Sequence, residues 1–299
     1  EIGDRGAEAM NSNINERFIN AAATGNSITI ERLMEDGADP NCHEADRFTP
    51  LHLASCGGHQ DVVLLLLQSG ANPNFLDENR LPPLHYAYRR GYPDIALILL
   101  EKGANPNYQD ENGWTPIHWA SWNGNYDVAK ILLERGSNPN YRDKDGKTAL
   151  HLVCSKGRPE IALVLLEKGA NPNSQDNDGE TPLHVVSRNG NEKVGKALLE
   201  KGANPNFHDK NGWTPLHTAI ARGDRSIVSL LLEKGANPNL QDDSGLTPLH
   251  WANDEDVTDL QDKSLTPIVS LLCDHGADID CLENYCKSDN LGEIPNQLT

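Results

Sequence analysis

The strongest constraint on the fold of this chain is a tetrapeptide that recurs every 33 residues. Its first copy is Thr49-Pro50-Leu51-His52, and later copies differ from it by at most one residue. A threonine hydroxyl suits a helix N-cap, and proline at the first helical position loses no hydrogen bond. We therefore predict that each copy opens a helix. The histidines of the seven copies are His52, His85, His118, His151, His184, His217 and His250.

The unit that begins at Thr115 predicts two short helices followed by a turn. Its apolar residues have helical spacing that is interrupted at Asn123-Gly124-Asn125. Gly136 stands where a helix C-terminus favours a left-handed residue. The later stretch from Asp143 to Gly146 has the Asp-x-x-Gly pattern of a β-turn, which we call the finger. Each unit is thus predicted to be two helices and one finger.

This unit resembles the ankyrin-repeat family, which is known by a 33-residue repeat with a β-turn, two helices and the motif T-P-L-H-x-A. The resemblance covers residues 14–280. It implies an all-α repeat solenoid, a curved and elongated stack of helix-turn-helix units with β-turn fingers. It also implies that the tetrapeptide histidines are structural, and that the inner surface consists of fingers and first helices.

The repeat register divides the chain into a leader, an array and a tail. Residues 1–13 are polar and aperiodic, and we expect a disordered leader or an expression remnant. The array contains an N-terminal cap repeat at 14–46, six regular repeats at 47–244, and a last repeat at 245–280. An eight-residue insertion within the acidic segment 253–265 enlarges the last repeat. The role of this insertion and of the tail at 281–299 stays open.

Two fingers depart from the pattern, because Arg47 and Arg80 replace the turn glycine. These fingers must either use another turn or accept a strain of roughly 1 to 2 kcal/mol.

Charge and composition exclude several classes of partner. The net charge of -18 opposes binding to nucleic acid or to an anionic membrane surface. No apolar run approaches the length of a membrane span. The six cysteines include no C-x-x-C pair, which indicates reduced thiols and a soluble, cytoplasmic protein.

No established catalytic or cofactor-binding motif occurs, so we predict neither an enzyme nor a cofactor. The tetrapeptide histidines lie one per repeat and cannot converge on a metal ion. A metal site or a disulfide at Cys281 and Cys286, with His275 nearby, is the less favoured interpretation because zinc-motif spacing is missing. The acidic residues from Asp254 to Asp262 also lack the spacing of a calcium loop, which favours a solvated loop.

The candidate binding residues occupy positions that vary from unit to unit beside the turn glycine or late in the first helix. Exposed tryptophan and arginine are common anchors of protein interfaces, and we interpret these positions as free of packing contacts. For Trp119 and Trp251, packing between repeats and contact with a partner are equally favoured interpretations. The alternative for the basic residues is a set of solvated side chains. The predicted partner contacts are Arg89, Arg90, Trp114, Trp122, Lys156, Arg188, Trp213 and Arg222.

The leading hypothesis is a non-enzymatic scaffold or adaptor, monomeric by itself, that binds another protein or peptide on the concave face of the middle repeats. Bases outnumber acids among the variable positions there, so an acidic and apolar segment fits best. One alternative is a self-assembling element that associates through finger tips or the last repeat. Another is an effector of an intracellular bacterium that acts on host proteins, suggested by a general likeness to acidic bacterial arrays.

Overall fold

The computed structural model describes residues 14–252 and 267–280, and within these ranges it contains helices and turns but no strand. The predicted leader, the acidic insertion, Cys281 and Cys286 lie outside the described residues. The helices in chain order are α1 (14–24), α2 (Ser27–Glu35), α3 (Pro50–Gly57), α4 (Gln60–Gln68), α5 (Pro83–Arg90), α6 (Pro93–Glu101), α7 (Pro116–Asn123), α8 (Tyr126–Glu134), α9 (Ala149–Lys156), α10 (Pro159–Glu167), α11 (Pro182–Asn189), α12 (Glu192–Glu200), α13 (Pro215–Ala221), α14 (Arg225–Glu233), α15 (Pro248–Trp251) and α16 (Pro267–Asp274).

The described residues form two compact units. The N-terminal unit holds the chain up to Val153 together with Glu167–Ala170, and the C-terminal unit holds Cys154–Leu166 and the chain from Asn171. The domain boundaries drawn from the repeat register remain predictions.

The prediction that each tetrapeptide copy opens a helix is confirmed. In the first copy the helix begins at Pro50, directly after the N-cap Thr49. The Nδ1 atom of His52 lies 2.7 Å from the Thr49 hydroxyl and accepts a hydrogen bond from the Thr49 backbone N–H. The side chain of the third helical residue therefore closes a capping box around the helix start.

The core of the N-terminal unit lies between the paired helices and their neighbours. Helix α3 packs against α4 of its own repeat and against α5 of the next, and α5 packs against α7. The side chains of Leu51, Ala54 and Leu66 are at most 1 % exposed. Because Ala54 is small, the first helices can approach each other closely. The C-terminal unit repeats this arrangement, with α13 against α11, α14 and α15.

The second asparagine of each Asn-Pro-Asn sequence joins successive repeats. The Oδ1 atom of Asn107 accepts a hydrogen bond from the backbone N–H of Asn138 at 2.8 Å, and its Nδ2 atom donates to the Gly136 carbonyl at 3.1 Å. Each bridge satisfies a carbonyl at a helix C-terminus that would otherwise lack a partner. The same bridge forms at Asn74, Asn173 and Asn206.

The finger glycines have positive φ, and at Gly212 the close approach of the next finger's backbone also excludes a side chain. Gly212 has φ +76°, and a Cβ atom there would lie 2.5 Å from the backbone nitrogen of Asp243. Arg47 and Arg80 keep the same turn with φ at 60°, so the first two fingers accept strain and do not change their turn type.

Replacing Arg80 by glycine is expected to stabilise the protein by up to about 1 kcal/mol, because relief of the left-handed strain exceeds the entropy that glycine loses on folding. Arg80→Ala is the matched control, since it shortens the side chain but keeps a Cβ atom at φ 60°. The measurement is the urea midpoint of unfolding. A midpoint for Arg80→Gly no higher than that for Arg80→Ala would show that Arg80 is not strained.

Candidate partner-binding surface

The tetrapeptide histidines form the frame that positions the fingers. The Nε2 atom of His52 donates a hydrogen bond to the Leu81 carbonyl of the next finger at 3.0 Å. His118, His184 and His217 make the same bond to Lys147, Trp213 and Leu246. Each imidazole accepts at Nδ1 and donates at Nε2, so the neutral form with a proton on Nε2 fits the site. These bonds support the structural role that is predicted for the seven tetrapeptide histidines, and that role stays a prediction.

Burial sets the protonation of these histidines. It is the largest cause of the lowered pKa of His52, His118 and His184, and it lowers the pKa of His85 and His217 to about 4. Nearby carboxylates, such as Asp77 beside His52 and Asp110 beside His85, raise the pKa and only partly oppose burial. These five histidines are therefore neutral near pH 7.

His85 departs from the pattern because Pro82 stands in place of threonine. Its Nδ1 atom lies 2.8 Å from the hydroxyl of Tyr88, which is buried in the same helix. Tyrosine thus takes the place of the missing N-cap hydroxyl.

Three tryptophans of one repeat form a contiguous cluster in the N-terminal unit. The ring of Trp114, which precedes α7, lies 4.7 Å from the ring of Trp119 and 5.7 Å from the ring of Trp122. Both contacts are edge-to-face, the geometry that aromatic quadrupoles favour. We call Trp114, Trp119 and Trp122 the tryptophan cluster.

The tryptophan cluster is anchored to the fingers by aspartate carboxylates. Trp119 Nε1 donates to Asp110 Oδ2 at 3.1 Å, and Trp114 Nε1 donates to Asp143 Oδ2 of the following finger at 3.1 Å. The interpretation that Trp114 is free of packing contacts is therefore wrong. Its ring is half-buried because it fills the space between Trp119 and the next finger. Trp122, by contrast, is 38 % exposed.

Arginine lies beside the tryptophan cluster. Arg89 and Arg90 are exposed in the last turn of α5. The guanidinium carbon of Arg89 lies 5.7 Å from the centre of the Trp119 ring, within cation–π range. Trp119 thus contacts Trp114 and Arg89, Trp122 joins them through Trp114, and Arg90 follows Arg89 in the sequence. These five residues are called the Trp/Arg patch.

The remaining predicted contacts lie in the C-terminal unit and are more dispersed. Lys156 and Arg222 are exposed at the ends of α9 and α13. Arg188 is exposed, but it forms an ion pair with Glu180, so a carboxylate of the chain already engages its charge. The half-buried Trp213 packs edge-to-face against Trp251 at 4.7 Å, and no cation stacks on Trp213 in the part of the chain described.

Trp119 belongs to the Trp/Arg patch but is not one of the predicted partner contacts. A spacing of nine residues gives the signal that places it, because Tyr86, Trp119 and Trp251 each follow a finger aspartate by nine residues and donate to its Oδ2 atom. Val185 occupies this position after Asp176, whose Oδ2 atom is buried without a hydrogen-bond partner.

The described residues contain no group of histidine, cysteine and carboxylate side chains that could hold a metal ion. Four cysteines fall in the described ranges, and all are free thiols: Cys42, Cys56, Cys154 and Cys273. No described helix combines the length and the apolar character that crossing a membrane requires.

Comparison with known proteins places this geometry in a family. A model described as ankyrin repeats (three copies) matches residues 18–110, 69–143, 135–209 and 201–283. Among solved structures, the crystal structure of the ankyrin repeat domain of Bcl-3, a unique member of the IkappaB protein family, is similar with a TM-score of 0.68 and 29 % identity. The match covers 76 % of this chain and 99 % of the Bcl-3 domain chain. No curated protein sequence matches the chain.

The family matches span the array predicted from the 33-residue period, and the described helices have the paired arrangement of that repeat. The chain therefore belongs to the ankyrin-repeat family, whose repeats generally act as protein–protein interaction modules.

Proposed function

We propose that this protein is a non-enzymatic interaction module that binds a protein or peptide through the Trp/Arg patch of its N-terminal unit. One observation supports this proposal most directly. Exposed Arg89 and exposed Trp122 lie at the two ends of a chain of aromatic contacts through Trp119 and Trp114, which hydrogen bonds to the fingers hold in place. Rigid aromatic side chains bury a large area with little loss of entropy, and tryptophan and arginine dominate the energetic centres of interfaces.

Two further exposed predicted contacts, Lys156 and Arg222, are proposed as a separate electrostatic contribution of the C-terminal unit. They add positive charge on a chain of net charge -18. Charges at the rim of an interface change association rate and salt dependence more than affinity. A partner segment with acidic and apolar residues is the complementary ligand.

Truncating Trp122 to alanine is expected to weaken partner binding by about 2 kcal/mol, roughly thirtyfold, because the variant loses the exposed aromatic ring of the patch. The partner is captured with the purified chain, identified by crosslinks to Lys156 and neighbouring side chains, and titrated by calorimetry. Tyr126→Ala is the control, since Tyr126 is 41 % exposed against 38 % for Trp122 but begins the second helix of the same repeat.

Adding Trp114→Ala to Trp122→Ala tests the whole cluster. Because Trp114 also packs, thermal unfolding must show that the double variant is folded at the temperature of titration. Unchanged affinity in the folded double variant would remove the patch from the interface. Sedimentation at two protein concentrations separates this proposal from self-assembly, which predicts a concentration-dependent mass.

A further inference from the structure

The positive charge of Arg89 is not neutralised by any carboxylate of the described chain. In residues 14–252 and 267–280 its guanidinium forms neither an ion pair nor a hydrogen bond, and it lies over the Trp119 ring. Arg188 occupies the same position three repeats later, and Glu180 pairs with it. At the same position of the repeat, Arg188 is thus paired with a carboxylate of the chain, and Arg89 can pair with a carboxylate of a ligand.

Two aspartates of the neighbouring fingers, Asp77 and Asp110, are held by other donors. Asp77 accepts from the Leu81 backbone N–H at Oδ1 and from the Tyr86 hydroxyl at Oδ2. Asp110 accepts from the Trp114 backbone N–H at Oδ1 and from Trp119 Nε1 at Oδ2. Both oxygens of each of these carboxylates therefore already accept a hydrogen bond.

A guanidinium that is held beside an aromatic ring is preorganised to bind a carboxylate. Contact with Trp119 restricts the rotamers of Arg89, so less entropy is lost when a ligand binds. The planar fork of N–H donors matches a carboxylate, which accepts two parallel hydrogen bonds. Helix α5 ends at Arg90, and this second cation beside Arg89 strengthens the local preference for an anion.

The exposed ring of Trp122 provides a second contact, at a distance from Arg89 that the packing of two helices determines. Trp122 occupies in α7 the position that Arg89 occupies in α5, and these two helices pack against each other. Packed helices lie about 8 to 10 Å apart. A partner helix covers that distance in about five to seven residues, at a rise of about 1.5 Å per residue, and of these spacings the one of seven residues keeps both side chains on one helix face. An extended partner covers it in about three residues.

We propose that the patch recognises a segment with a paired motif, in which an aspartate or glutamate carboxylate binds Arg89 and a large apolar side chain packs on Trp122. This inference rests on the proposed function and specifies its ligand. The two partner residues are separated by about seven positions in a helical segment, or about three in an extended one.

The probe is a phage-displayed library of random peptides, selected on the purified full chain. The peptides are long enough to reach both Arg89 and Trp122 as a helix or as an extended strand. Selected peptides are expected to carry an acidic and a large apolar residue at one of the two spacings. For the leading peptide, Arg89→Gln is expected to reduce affinity by about tenfold or more, and Arg89→Lys by a smaller factor because the bidentate fork is lost. Arg188→Gln is the matched control and is expected to leave affinity unchanged.

A charge exchange separates recognition from a structural role. Arg89→Glu is expected to abolish binding of the leading peptide and to bind a version of that peptide whose acidic residue is replaced by lysine. If Trp122→Ala weakens binding but Arg89→Gln does not, the carboxylate assignment is overturned and the proposed function stands. If neither substitution weakens binding while both variants remain folded, the proposed function fails as well.

Discussion

Acidification from about pH 7 to about pH 5 is expected to lower the free energy of unfolding by several kcal/mol, because the frame histidines must stay neutral in the folded protein. Five of them have a lowered pKa with burial as the largest cause: His52, His85, His118, His184 and His217. Below the ordinary histidine pKa of 6.5 the unfolded chain binds protons that the folded chain does not. Stability is therefore complete above that pH and is lost as the pH falls toward 4.

The size of the effect follows from the individual histidines. A histidine whose pKa falls from 6.5 to about 4 on folding, as for His85 and His217, loses about 2 kcal/mol of its contribution by pH 5. Acidification also reduces the repulsion within a chain of net charge -18, which acts in the opposite direction. The histidine effect is expected to dominate because these rings are buried, whereas most of the acidic side chains are exposed to screening water.

Urea unfolding at the two pH values measures this loss. The control is His217→Gln, which cannot take up a proton and is expected to show a pH-dependent loss smaller by about 2 kcal/mol. An equal loss of stability in the variant and the parent protein would mean that His217 does not contribute. A parent protein as stable at pH 5 as at pH 7 would contradict the claim that the buried histidines are neutral in the folded protein.

Leu231→Ala is expected to destabilise the protein by about 2 to 5 kcal/mol through the cavity that it leaves. Leu231 is fully buried in α14, which packs against α12, α13 and α16. The measurement is again the urea midpoint, together with affinity for the captured partner. Where the variant remains folded its affinity should be unchanged, because Leu231 lies in the C-terminal unit and outside the Trp/Arg patch.

The adjacent Leu230 provides the comparison for this prediction. Its side chain is only partly buried on the same helix, so Leu230→Ala should cost distinctly less. Similar losses for the two variants would argue against the assigned orientation of α14.

The fold was predictable because the same local signals recur in register. Threonine caps, proline at the helix start and glycine after the second helix each act within a few residues, and their repetition at 33 residues fixes the unit. The starts of the first helices follow directly from the tetrapeptide, as at Pro50 and Pro116. The bridging role of the histidines is what the family resemblance implies, and the register brings His52 beside the finger that contains Leu81.

The candidate surface was only partly predictable, because it depends on which side chains meet between repeats. The sequence places Trp114 and Arg188 at variable positions, but it does not reveal that Trp114 bonds to Asp143 or that Arg188 pairs with Glu180. These outcomes depend on rotamers and on distances between neighbouring fingers and helices. Arg80 shows the same limit, since its sequence allows another turn and only the backbone reveals a φ of 60°.

Oxidative footprinting of the chain with and without its captured partner shows whether the partner covers the Trp/Arg patch. Trp122 and Tyr126 are similarly exposed, at 38 % and 41 %, but they lie in the first and second helices of one repeat. Binding through the Trp/Arg patch predicts that the partner protects Trp122 from hydroxyl-radical oxidation and leaves Tyr126 as reactive as in the free chain. Protection of Tyr126 with full oxidation of Trp122 would contradict the account and place the partner on the second helices.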